Sequence, residues 1–182
     1  MGAWSGVWMG VERERTMSDR QRGRAEADAD ATLFRALYPS LHRLAAVVCP
    51  PEHQADDLVQ EALARSLQRG PLAALDDPGA YLRRAIVNLA ANERRSLGRL
   101  RRVLPRLAAV DRDRPTPYPS DTVALLELSP LDRAAIWFVD VEGHSGAEAA
   151  ALLGCSHDAV RSRLVRARRH LATILTDPPT DR

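Results

Sequence analysis

An all-α chain is predicted, built as two small helical domains joined by a proline-rich linker. Alternating β-branched runs are missing, whereas apolar residues recur at three- and four-residue spacing throughout. Proline gathers at Pro105, Pro115, Pro117 and Pro119, where fixed torsions and absent amide donors exclude helix or central strand. Two units of below about 100 residues each fit the length of 182 residues as well as one core does.

Residues 1–30 alternate charges with Gly and Ala around Trp4 and Trp8, without a sustained period, and are expected to be a disordered leader. Met9 and Met17 offer alternative starts within it. The first domain is placed at 31–102, with helices at about 31–48, 54–69 and 79–102. Pro50-Pro51, Gly70-Pro71 and Asp77-Pro78-Gly79 interrupt them. A flexible linker covers 103–121, the second domain 122–176, and a disordered tail 177–182. In the second domain Ser129-Pro130-Leu131-Asp132 offers a capping hydroxyl, a proline at the first helical position and a first-turn carboxylate. Ser145-Gly146-Ala147-Glu148 reads as a capping box, Gly154 as a left-handed stop, and Ser156 as the cap of a last helix.

The composition is that of a soluble globular protein, 45% apolar and 27% charged. No run approaches the ~20 apolar residues of a membrane helix, and no basic segment opens a secretion signal, so the expected location is cytoplasmic, with no membrane partner. Cys49 and Cys155 lie in different units and are expected to be reduced thiols. Cys49-Pro50-Pro51-Glu52-His53 has no second pair at metal-ligand spacing. Neither a phosphate-cradling glycine loop nor a nucleophile motif occurs. No metal, no cofactor and no enzymatic activity are therefore expected.

A net charge of +2 hides strong segregation of sign. Between Arg83 and Arg106 eight arginines face Glu93 alone, and between His157 and Leu171 five face Asp158 alone. Glu52, Asp56, Asp57 and Glu61 form the opposite extreme, without a lysine or arginine among them. On the acidic helix Leu58, Val59 and Ala62 turn inward, leaving Asp57, Gln60 and Glu61 together; such a patch repels phosphate and suits a basic protein surface. On the helix from Tyr81 the row Arg84, Asn88, Asn92 and Arg95 combines amides with guanidinium groups, which suits single-stranded nucleic acid.

Ser145 to Leu171 reads as a helix-turn-helix. Val160, Leu164, Ala167 and Leu171 make one buried stripe on its last helix. His157, Asp158, Arg161, Ser162 and Arg163 then occupy the first turns of the outward face, where base edges are met, and Arg166, Arg168 and Arg169 lie farther along, placed for phosphate.

In their order along the chain these pieces resemble the extracytoplasmic-function (ECF) group of bacterial RNA polymerase sigma factors. The resemblance rests on Asp56-Asp57-Leu58-Val59-Gln60-Glu61, on Ala80 to Ala90 (AYLRRAIVNLA), and on Val160 to Arg168 (VRSRLVRAR). It implies a sigma region 2-like domain at 31–102 and a region 4-like helix-turn-helix domain at 122–176. Core polymerase is the implied partner of Asp56, Asp57, Gln60 and Glu61, which would meet the clamp helices of its largest subunit, while the second domain would rest on the flap. The loop Gly70 to Gly79 stands where the family captures a flipped base. Tyr81, Arg84, Asn88, Asn92 and Arg95 become the residues for the melted minus-ten strand. His157, Asp158, Arg161, Ser162, Arg163 and Arg166 become those for the minus-thirty-five duplex. Val87 and Asn92 depart from the family's usual polar or basic and acidic residues. Promoter DNA is thus a partner, and the family also admits an anti-sigma factor. The rival expectations are a helix-turn-helix regulator that acts as a dimer without joining polymerase, and an adaptor that sequesters polymerase through the acidic helix.

Overall fold

The computed structural model describes the backbone of residues 5–103 and 125–176, with side chains over 21–99, 125–174 and 176. The described residues are helical or looped, with no strand among them. A first lobe holds α1 (Ser5–Val48), α2 (Ala55–Leu67), a 3-10 turn at Leu72–Ala74, and α3 (Pro78–Val103). A second holds α4 (Pro130–Ile136), which runs into a π-helical turn at Trp137–Val141, then α5 (Gly146–Leu153) and α6 (His157–Thr176).

The helix expected at 31–48 begins at Ser5, so most of the segment read as a disordered leader is helical backbone. Its Ala, Arg and Glu content favours helix by intrinsic propensity, a signal that carries no apolar period and so escapes a search for one. Pro39 lies inside α1 and removes one backbone donor from its ladder. The first lobe also reaches further back than residue 31: Asp30 is buried, and its Oδ1 accepts from the amide of Ala73 at 3.1 Å, tying the 3-10 turn to α1. The linker from residue 104 onward and the tail at 177–182 lie outside the described residues.

Within the first lobe, Leu41, Leu44 and Val48 of α1 meet Leu58, Val59 and Ala62 of α2 and Leu82, Ile86 and Ala90 of α3. Val87, one of the departures from the family pattern, is buried with them. The second lobe closes on Phe138, Ala149, Leu153, Val160 and Leu164. Its local rules hold as the residues dictate. Ser129 accepts from the amide of Asp132 at 3.2 Å, with Pro130 at the first helical position. Ser145 and Glu148 exchange both bonds of a capping box, at 2.8 and 3.2 Å. Gly154 turns left-handed at φ 65°, and Ser156 accepts from the amide of Ala159 at 3.2 Å. Val160, Leu164 and Ala167 are buried as the stripe predicts, whereas Leu171 is only half-buried.

The two lobes pack against each other. One apolar cluster runs through both, α4 packs on α1 and α3, and α5 packs on α3. Arg133 of α4, 2% exposed, donates from Nη1 to the carbonyl of Cys49 at 3.1 Å and from Nη2 to that of Val48 at 2.9 Å. The last carbonyls of α1, which lack partners within their own helix, thereby receive them from the other lobe. Among the described residues no helix is long and apolar enough to cross a membrane.

Two outcomes test this account of the caps. Ser129→Ala should lower the unfolding free energy by about 1 kcal/mol in a denaturant titration. The hydroxyl and amide of Ser145 hold the Glu148 carboxyl below the usual carboxylate range. Stability from this pair is therefore present above the unfolded pKa and is lost as pH falls through the depressed folded value, and Glu148→Gln should flatten that part of the stability-versus-pH curve.

Candidate functional site

Three surfaces carry the residues singled out from the sequence. On α2, Asp56, Asp57, Gln60 and Glu61 are all exposed, while Leu58, Val59 and Ala62 anchor the helix below them. The four are not equivalent. Tyr38 of α1 donates to Asp56 Oδ1 at 2.5 Å, His42 stands 3.5 Å from the same oxygen, and Arg65 Nε donates to Glu61 at 2.6 Å. The bond to Asp56 raises the pKa of the Tyr38 hydroxyl above its ordinary value. Beside this patch an apolar groove of about 540 Å³ opens between α1 and α2, lined by Ala31, Phe34, Tyr38, Leu63 and Leu67. Leu67, 44% exposed, is an apolar neighbour that the reading of charges overlooked.

The second surface is the outer side of α3. Asn88 and Asn92 are exposed, and Arg95 donates from Nη2 to Asn92 Oδ1 at 2.7 Å and from Nε to the carbonyl of Ala91 at 3.2 Å. Tyr81 is half-buried and accepts from Arg69, a residue absent from the sequence-based set. A pocket of about 270 Å³ lies between the loop and α3, lined by Ser66, Arg69, Gly70, Pro71, Leu75 and Tyr81 among others. Arg84 departs from expectation. Its Nη2 donates to the carbonyl of Ala151 near the end of α5, and its Nε lies 3.1 Å from where a Cβ on Gly154 would stand. The guanidinium thus bonds to the helix-turn-helix, while the side chain stays exposed one turn before Asn88.

The third surface is α6. His157, Asp158, Arg161, Ser162 and Arg166 are exposed, and a shallow depression on this face is lined by Asp158, Arg161, Ser162, Val165 and Arg166. Val165, 44% exposed, is an apolar contact that the sequence reading passed over although it stands one turn after Arg161. The His157 ring lies across the start of α5, its Nε2 2.7 Å from where a Cβ on Gly146 would stand. Arg163 is not part of the open face. It is half-buried and donates to Asp132 Oδ1 of α4 at 3.1 Å, an oxygen that Arg166 also approaches at 3.6 Å. Arg168, expected at phosphate, instead grips Asp140 with two bonds of 3.2 and 2.5 Å, which raises its pKa further. Position in a helical repeat could not separate these arginines, because their partners lie on α4 and the turn after it.

Comparison with known proteins agrees with this arrangement. A family model described as Sigma-70 region 2 matches residues 33–100, and one described as Sigma-70, region 4, matches residues 122–171. The ECF RNA polymerase sigma factor SigM of Mycobacterium tuberculosis, in strains Erdman and H37Rv, is 32% identical over 191 aligned positions, spanning 96% of this chain and 92% of SigM. The chain belongs to the ECF sigma factors of RNA polymerase. It is therefore a transcription initiation factor, and the reading as a dimeric regulator outside polymerase gives way. Two solved structures resemble this sigma factor. One is the sigma factor RpoE with the anti-sigma factor NepR from Bartonella quintana, with TM-score 0.58 and 25% identity, covering 81% of this chain and 97% of that one. The other is CnrH with the cytosolic domain of CnrY, with TM-score 0.54 and 26% identity, covering 86% and 95%.

The cysteines give a direct check on the lobe contact. Burial pushes the Cys49 thiol up to about 11 despite the nearby Arg133 charge, whereas Cys155 is half-exposed. In the folded sigma factor an alkylating reagent near pH 8 should label Cys155 well before Cys49, read by peptide mass spectrometry, and Cys49 labelling should rise as pH approaches its pKa.

Proposed function

We propose that this sigma factor divides promoter recognition among its three surfaces. The observation that carries this reading is the joint exposure of an acidic α2 face and an arginine-bearing α6 face, which favour different partners by sign of charge. Asp56, Asp57, Gln60 and Glu61 dock core polymerase at the clamp helices of its largest subunit. Asp57 and Gln60 lead, since Asp56 and Glu61 already have intramolecular partners. The groove beside them supplies the apolar contact that a stable protein interface needs at its centre.

Region 2 holds the non-template minus-ten strand with Tyr81, Arg84, Asn88, Asn92 and Arg95. The loop pocket between Arg69 and Tyr81 offers a place for one extruded base, with an aromatic wall and a guanidinium at its rim. Extrusion costs a few kcal/mol of unstacking, which recognition of the base and backbone offsets. Region 4 lays α6 in the major groove at minus thirty-five. His157, Asp158, Arg161 and Ser162 meet base edges, Arg166 is near phosphate, and Arg163 supports the helix through Asp132 rather than reading a base. The flap of polymerase carries this domain. The work is binding and strand separation, with no bond made by the protein itself, and it takes place in the cytoplasm. An anti-sigma factor is proposed as a further partner, on the strength of the two similar structures being complexes of that kind.

Run-off transcription with purified core polymerase on a pool of random promoters tests the whole reading and yields both promoter elements; transcripts without a shared upstream sequence would oppose it. Asp57→Arg should weaken core binding more than tenfold with helicity unchanged, measured by polymerase pull-down and circular dichroism. Arg161→Ala should cost about 1–3 kcal/mol on the selected minus-thirty-five duplex and much less on scrambled sequence.

A further inference from the structure

We propose that Asp140 is a positioning residue that holds Arg168 off DNA and so lowers the attraction of the recognition helix for DNA of any sequence. The inference rests on the assignment of α6 to the minus-thirty-five duplex. Arg168 stands two turns beyond Arg161, about 10 Å along the same side of the helix. That is the side on which Asp158, Arg161 and Val165 line the open depression. A guanidinium on this stripe suits the phosphates that flank a groove, and the Arg168 side chain is 54% exposed. It is nevertheless turned onto protein: Nε and Nη2 donate side-on to the two oxygens of Asp140, at 3.2 and 2.5 Å.

The fold delivers the carboxylate. Asp140 lies in the π-helical turn after α4, which buries Phe138. The amide of Glu142 donates to the carbonyl of Trp137 at 2.9 Å, and that of His144 to the carbonyl of Phe138 at 2.8 Å, so the turn is closed behind Asp140. Stability does not account for the pair, because ion pairs this exposed contribute little to it. Its effect falls on binding. Phosphate contacts attract every sequence alike, whereas base contacts separate one sequence from another. Arg168 must give up two bonds before it reaches phosphate, and Asp140 itself repels the DNA backbone. The same division runs through the helix. Asp132 holds Arg163 at 3.1 Å and stands 3.6 Å from Arg166, so three of the five arginines of α6 face a carboxylate from outside it. Arg161, among the base-reading residues, forms no ion pair among the described residues. Base contacts thereby make up a larger share of the binding that remains.

Fluorescence anisotropy of the full chain tests this with two short duplexes, one carrying the minus-thirty-five sequence selected with polymerase and one its scrambled counterpart, over about 50–200 mM salt. Asp140→Asn keeps the shape and removes the charge. It should leave helicity unchanged, bind the scrambled duplex about threefold more tightly, and steepen the dependence of log affinity on log salt by about one, the signature of one more phosphate neutralised. Asp140→Glu should behave as the parent. Adding Arg168→Ala to Asp140→Asn should return the affinity to near that of the parent, whereas a purely structural role for the pair would make each of these variants bind more weakly. The role of Asp140 is overturned if folded Asp140→Asn binds the scrambled duplex no more tightly than the parent, or if the gain persists without Arg168. Asp140→Ala decides should the amide variant not fold. If the parent, alone and joined to core polymerase, does not favour the selected duplex over the scrambled one, the assignment of α6 is what fails. A parent that favours it, beside an Asp140→Asn variant without gain, overturns the role of Asp140 alone.

Discussion

The buried guanidinium of Arg133 governs how the rest of this sigma factor is arranged. It stands where α1 ends, and its two bonds to Val48 and Cys49 satisfy carbonyls that a helix cannot satisfy itself. Burying such a charge costs several kcal/mol after relaxation. Two hydrogen bonds to an ionised donor return about 1.5–3 kcal/mol each, and the negative end of α1 adds up to about 2. Gain and cost are of similar size. The contact therefore fixes how the lobes meet, and the apolar cluster that they share supplies the burial around it.

That balance shapes the division of labour among the charged side chains. Several arginines that a linear reading assigns to nucleic acid are already engaged within the protein: Arg84 with α5, Arg163 with Asp132, and Arg168 with Asp140. The engagements differ in kind. Arg163 and Arg168 hold α6 to α4 and to the turn after it, all within the helix-turn-helix lobe, and those bonds survive any separation of the lobes. Arg84 crosses the boundary between the lobes. The same side-chain chemistry thus joins elements within one lobe in two cases and joins the two lobes in the third.

The acidic surface shows the same economy. Asp56 is held by Tyr38 and faces His42, which fixes the first turn of α2 against α1, and Arg65 steadies Glu61 from one turn along. Asp57 and Gln60 project from a helix whose underside, Leu58, Val59 and Ala62, is locked in the core. The backbone that carries these two exposed side chains is therefore fixed by the core beneath it.

Local sequence was sufficient for the helix ends and the buried stripes. The Ser129 and Ser145 caps and the left-handed turn at Gly154 each depend on residues within about four positions of one another and formed as read, and the inward face of α6 formed at Val160, Leu164 and Ala167 but not fully at Leu171. The order of the acidic, amide-bearing and helix-turn-helix segments carried the family. The helical start of α1 was illegible because it rests on propensity alone, without an apolar face to mark it. Only the tertiary structure decided that the two lobes share a core, that Arg133 closes α1, and that Arg84 and Arg163 point at protein. Those outcomes join residues 31 to 85 positions apart, and nothing local distinguishes an arginine whose partner is a distant carbonyl or carboxylate from one that faces water.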